Sequence, residues 1–91
     1  MYEVVYTNRF VKDVKLCVKR GLDISLLEET IDILQRTGTL PMKYHAHKLV
    51  GDRKDEWECH IKPDWLLCWR QDDEQLTLLF VNTGTHSDLF K

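Results

Sequence analysis

Glu56-Trp57-Glu58-Cys59-His60-Ile61-Lys62-Pro63-Asp64-Trp65-Leu66-Leu67-Cys68-Trp69-Arg70 decides the fold. Trp57, Cys59 and Ile61 alternate with Glu56, Glu58 and His60, which is the period of a strand with one apolar and one polar face. Lys62-Pro63-Asp64 reads as a turn, and Trp65 to Arg70 as a second strand. Beyond Gln71 to Glu74, Leu76 to Asn82 forms a third run. Three short strands joined by tight turns fold back as an antiparallel meander.

Working toward the N-terminus, Thr39 to Lys54 holds a Pro, a Gly, four basic residues and two histidines without a sustained period, and reads as a long loop. Two helices precede it. In the first, capped by Asn8, Phe10, Val14, Cys17 and Val18 recur at helical spacing and Arg9, Lys12, Lys15, Lys19 and Arg20 lie mostly on the other side. The second opens with Ser25 and Glu28 in capping-box spacing, runs through Leu27, Ile31 and Leu34, and stops at Gly38. Tyr2 to Thr7 alternates as a further strand. The order predicts one α+β domain over residues 1–91: β-α-α-β-β-β, with two helices packed on one face of a mainly antiparallel four-stranded sheet. The opposite face is expected to stay free for a ligand.

At 91 residues, 43% hydrophobic and 31% charged, the chain suits a single globular core. A core of this size buries only about 60 to 65% of the unfolded surface, so any site should lie in an open groove. There is no apolar run of roughly 18 residues and no basic head followed by an apolar stretch, so the expectation is a cytoplasmic protein without a membrane association. Cys17, Cys59 and Cys68 are odd in number and contain no Cys-x-x-Cys pair, which points to reduced core thiols. The net charge of −2 conceals a segregation: +3 over residues 1–20, −3 over 21–42, +3 over 43–54 and −5 over 55–91. Two basic segments are therefore available to a polyanion.

His60 sits on the polar side of its strand with Asp64 across the Pro turn, a spacing expected to bring carboxylate and imidazole within a few ångströms. Such a pair suits acid–base chemistry. His47 lies in the basic loop, and His86 in a C-terminal tail that is expected to pass the rim near His60. Histidines and a carboxylate without a fixed nucleophile point to metal binding or to acid–base work on phosphodiesters. His45-Ala46-His47 matches no recurring metal pattern, so no metal or cofactor is expected. RNA brings its own nucleophile, the 2′-hydroxyl beside the scissile phosphate. Trp65 and Phe90 are candidates to stack on bases, although Trp65 alternates in phase with Leu67 and Trp69, which favours a core position for it.

Four segments resemble the YafQ branch of the RelE-like toxins of bacterial toxin–antitoxin pairs: Lys12-Asp13-Val14-Lys15-Leu16, His47 with Leu49 and Gly51, His60-Ile61-Lys62-Pro63-Asp64-Trp65, and Gly84-Thr85-His86-Ser87-Asp88-Leu89-Phe90. The resemblance covers essentially the whole chain. It implies the compact RelE-like fold and a toxin that cleaves mRNA without a metal, mostly in the ribosomal A site, until a cognate antitoxin binds it in a hetero-oligomer. It also implies His47, His60, Asp64 and His86 as the catalytic set, with Trp65 and Phe90 assisting. On this reading His86 is the general acid, His60 or Asp64 takes the 2′-hydroxyl proton, and His47 contacts the phosphate. Lys12, Lys15, Lys48 and Arg53 would bind RNA, including 16S ribosomal RNA. The chain departs from the family at Asn82, where an arginine is usual, and at Lys48, where a proline is common. Either Arg70, Lys48 or Arg53 supplies the missing cation, or the enzyme is slower or altered in substrate preference. The alternative is a non-catalytic inhibitor on the same scaffold, like the ParE relatives.

Overall fold

A computed structural model describes residues 1–90 of the chain. The α+β architecture holds, with one strand more than expected. β1 (Glu3–Tyr6), α1 (Asn8–Lys19) and α2 (Ile24–Thr37) are followed by the two-residue strand β2 (His47–Lys48). The meander β3 (Trp57–Lys62), β4 (Trp65–Asp72) and β5 (Thr77–Gly84) comes next, and a single helical turn, α3 (His86–Leu89), closes the chain. The sheet order is β1-β5-β4-β3-β2, with β1 parallel to β5 and the other pairs antiparallel. β2 escapes sequence reading because two residues carry no period; it exists through its ladder with β3, His47 opposite Glu58 and Lys48 opposite Trp57.

The helix boundaries are set by neighbours of the expected caps. Thr7, not Asn8, caps α1: its Oγ1 accepts from Phe10 N at 3.0 Å and donates to Val81 O at 2.7 Å, fastening the helix start to β5. Asp23, not Ser25, caps α2, accepting from both the amide and the hydroxyl of Ser25. Gly38 ends α2 as expected, in a left-handed conformation with Tyr2 packed so close that a Cβ would come within 2.5 Å of its hydroxyl oxygen.

Both helices lie on one face of the sheet. Phe10 and Cys17 of α1 and Leu27 and Leu34 of α2 close over Cys59, Leu67, Trp69, Leu78 and Phe80. The three cysteines are free and buried, as their number suggested. The other face is not wholly free. Leu89 of α3 and Leu49 cover Leu66 and Cys68, while the β2–β3 end of that face stays open.

Candidate active site

Strand alternation does what the sequence implied: Cys59 enters the helix-side core while Glu58 and His60 point to the open face. Pairing with β3 adds His47, whose Nε2 lies 3.4 Å from Glu58 Oε1. His86 arrives from the other side on α3. Its ring centroid is 5.8 Å from that of His60, and His45 adds a fourth ring at 6.2 Å from His60, edge to face.

The expected partnership of Asp64 with His60 is not formed. Asp64 Oδ1 lies 2.6 Å from His86 Nδ1 and also accepts the His86 backbone N–H at 3.0 Å, while His60 Nδ1 faces Pro63 O at 3.3 Å. The turn carries Asp64 past His60 and up to α3. Two bonds from His86 hold the Asp64 carboxyl below the usual carboxylate range. An ionised Asp64 only accepts, so His86 Nδ1 carries a hydrogen and Nε2 is the atom left to exchange a proton. That geometry suits Asp64 to orienting His86.

α3 is a single turn and owes its place to a web of bonds. Thr85 and Asp88 form a reciprocal capping box, and Asp88 also takes two hydrogen bonds from Arg20 at 2.6 and 3.3 Å. Those bonds hold its carboxyl well below the ordinary range. Arg9 donates to Asp88 O at 3.1 Å. Gly84 is needed beneath the box, because a Cβ there would lie 2.7 Å from Asp88 Oδ2. Arg9 and Arg20, read from sequence as part of a basic stripe, thus anchor the turn that carries His86. Lys12 and Lys15 are exposed on α1.

The remaining candidates separate into two groups. Trp65 is 3% exposed, packs in the helix-side core and donates its indole N–H to Thr83 Oγ1 at 3.0 Å, so its ring is closed to a base. Its phase with Leu67 and Trp69 was the stronger signal. Phe90 is 46% exposed, with the Arg53 guanidinium 5.2 Å above its ring. Arg53 also reaches Asn82 Oδ1 at 3.3 Å and makes a bidentate pair with Glu56 at 2.6 and 3.2 Å. A guanidinium therefore stands beside Asn82, delivered by the loop rather than by β5. The other two candidates for that role lie elsewhere. Lys48 sits over Trp57, on the face away from His47, and Arg70 pairs with Asp55 at 3.6 Å. Both line a groove of about 530 Å³ at the far end of the sheet.

Beside the imidazoles lies a smaller groove of about 310 Å³ lined by Lys43, His45, His60, Ile61, Lys62 and Pro63. Glu58, His45, Lys43 and Lys62 were not among the expected site residues. Glu58 was legible, since it shares a strand face with His60; the other three depend on the path of the loop and turn. Among the described residues, no three His, Cys, Asp or Glu side chains converge closely enough to hold a metal ion. No helix among them is long and apolar enough to cross a membrane.

Residues 2–91 match the family described as "Bacterial toxin of type II toxin-antitoxin system, YafQ". The chain is 37% identical over 89 residues to the mRNA interferase toxin YafQ of Escherichia coli K12, covering 97% of this chain and 95% of that protein. Its structure is similar to that of the E. coli DinJ–YafQ toxin–antitoxin complex, with a TM-score of 0.89 at 36% identity over 99% of this chain and 98% of that one. It is equally similar to a metal-bound toxin from Helicobacter pylori, with a TM-score of 0.89 at 40% identity over 99% and 100% of the two chains. The chain belongs to the YafQ family of bacterial type II toxins.

Proposed function

We propose that residues 1–91 act as one toxin domain that cleaves mRNA in the ribosomal A site by metal-independent acid–base catalysis in the bacterial cytoplasm, and that a cognate antitoxin silences it by forming a hetero-oligomer. The observation that carries this reading is the His86–Asp64 pair at 2.6 Å facing His60 across the open end of the sheet. The E. coli relative named an mRNA interferase and the complex of that toxin with DinJ support it.

In the mechanism, Nε2 of His60 or His47 takes the proton of the 2′-hydroxyl. The 2′-oxygen bonds to phosphorus, the bond from phosphorus to the 5′-oxygen breaks, and His86 Nε2 gives its proton to that leaving oxygen. The products are a 2′,3′-cyclic phosphate and a free 5′-hydroxyl. The second imidazole contacts the phosphate. Arg53, beside Asn82 and under Phe90, contributes the cation that the family usually carries on β5, and Phe90 offers its exposed ring to a base. Because Arg53 is also paired with Glu56, its charge is shared, which favours a slower enzyme than one with a free arginine. Lys12, Lys15 and Lys48 are exposed and suit docking to 16S ribosomal RNA, with an affinity that falls steeply as salt rises.

The test is cleavage of an mRNA with and without translating ribosomes, in EDTA, with the ends mapped and His86→Ala as control. Cyclic phosphate ends that require His86 and survive chelation are expected. Activity lost in EDTA and restored by a metal would defeat the metal-independent scheme, and the absence of cleavage under every condition would favour the non-catalytic, ParE-like reading.

A further inference from the structure

Glu58 brings a second carboxylate to the imidazoles, and the scheme above does not use it. Its side chain is 7% exposed, and its Oε2 has no hydrogen-bond partner among the described residues. Its Oε1 faces two ring nitrogens, Nε2 of His47 at 3.4 Å and Nε2 of His60 at 4.0 Å. The backbone turns both rings the same way. Nδ1 of His47 lies 2.9 Å from His45 O, and Nδ1 of His60 lies 3.3 Å from Pro63 O. A carbonyl oxygen only accepts, so each Nδ1 carries a hydrogen, and a neutral ring would aim a bare lone pair from Nε2 at the carboxylate. Two lone pairs around a buried, half-unpartnered carboxylate are unfavourable, and one proton added to either ring turns the repulsion into an ion pair.

The surrounding charges leave that task to the two histidines. Cys68, opposite Glu58 on β4, is a thiol that burial pushes up to about 12. Arg53, from the loop, is held by Glu56 just before β3, and His86 of α3 is held by Asp64. His45 approaches the ring of His60 edge-on, and Lys43, Lys62 and Glu29 line the grooves beside that ring. Among the described residues, the ion-pair contacts of Glu58 are with His47 and His60 alone.

We propose that Glu58 is a positioning residue that keeps one proton on the His47–His60 pair, so that one ring meets the phosphate as a cation while the other stays neutral as the base. This rests on the RNA-cleaving reading above. When the neutral ring takes the 2′-hydroxyl proton it becomes a cation beside Glu58, and the carboxylate stabilises that charge as it forms. Having two rings in reach of one carboxylate also lets either serve as base, so that loss of one ring is partly covered by the other.

The experiment combines proton NMR titration of the ring Cε1–H signals with pH profiles of kcat and KM for wild type, Glu58→Gln and Glu58→Asp. In Glu58→Gln the His47 and His60 curves are expected to move to lower pH while the His86 curve stays in place. The rate at neutral pH should fall roughly tenfold, in kcat rather than KM, and the ascending limb of the kcat profile should move to lower pH. Glu58→Asp, which keeps the charge at shorter reach, should recover part of both effects; if Glu58→Gln does not fold, this variant carries the test through a smaller shift in the same direction. His47 and His60 curves unmoved in a folded variant would overturn the proposal and leave Glu58 a structural residue. Should the wild type cleave no RNA, the functional reading fails, and the titrations, made without RNA, still decide whether Glu58 holds the proton.

Discussion

Asp64 and Glu58 serve the same cluster of imidazoles from opposite surroundings. Asp64 stands on an exposed turn, with its side chain 64% accessible, and both of its contacts to His86 go through one oxygen. Glu58 is enclosed in the sheet at 7% accessibility, with one oxygen facing two rings and the other facing none. An exposed carboxylate in high dielectric gains little from Coulomb attraction and acts chiefly by geometry, fixing the tautomer and direction of one ring. A buried carboxylate acts chiefly by charge, because an unpaired anion there is costly. The difference assigns orientation to the α3 region and proton retention to the β3 region.

The largest effect is expected at the ring that Asp64 directs. His86→Ala removes the proposed acid and should lower kcat for RNA cleavage by roughly 10²- to 10⁴-fold, with the fold unchanged, because the ring is exposed. A rate within a few-fold of wild type would sink the acid assignment. Next in size is Asp64→Asn, which keeps the shape and loses the charge. We expect kcat to fall on the order of tenfold with KM little changed, and pH profiles check the cause. The carboxyl of Asp64 is held below its ordinary value, so its contribution is present at and above the usual carboxylate range and is lost as pH falls through the lowered value. In wild type the dyad should therefore persist into acid, and an acid limb attributable to Asp64 near neutral pH would contradict it.

Much of this contrast was legible in the sequence, and the illegible part has a physical cause. Alternation over Trp57 to Ile61 separated core from site face, and the same rule placed Glu58 with His60 without revealing that β2 would bury it. What alternation cannot supply is which strand lies beside which, and β2 has too few residues to show a period. The misassigned partner of Asp64 has a similar origin: nearness in sequence favoured His60, whereas the chain direction after Pro63 and the capping of α3 gave it His86. The residue pair Arg53 and Asn82 is separated by 29 positions and joined only by the fold.

A smaller effect tests whether the α3 region depends on its caps. Asp88→Ala removes the half of the capping box in which its carboxylate accepts the Thr85 N–H, leaves its own backbone N–H on Thr85 Oγ1, and frees Arg20; it should cost about 1 to 2 kcal/mol of stability by denaturant unfolding. His86 would lose its fixed approach to His60, so kcat should fall as well, while the His47 and His60 titrations, held from β3, should not move. A shift of all three rings together would show that the two regions are coupled and would erase the distinction drawn between them.

Trp65 gives the smallest expected effect and the sharpest test of where the site ends. It follows Asp64 directly, yet its indole turns through the sheet into the helix-side core and donates to Thr83. Trp65→Phe keeps an aromatic ring and removes that donor. Thr83 Oγ1 still donates to Leu66 O at 2.6 Å, so no buried donor is stranded, and the loss should be about 1 kcal/mol in unfolding. A base-stacking role predicts a different result, a raised KM for RNA with stability little altered. Because the ring is 3% exposed, stacking would need the core to open, at a cost far above the gain from one stacked base. An unchanged KM with a lowered unfolding midpoint would place the boundary of the active face at Asp64, with Trp65 beneath it as the support that fixes the turn.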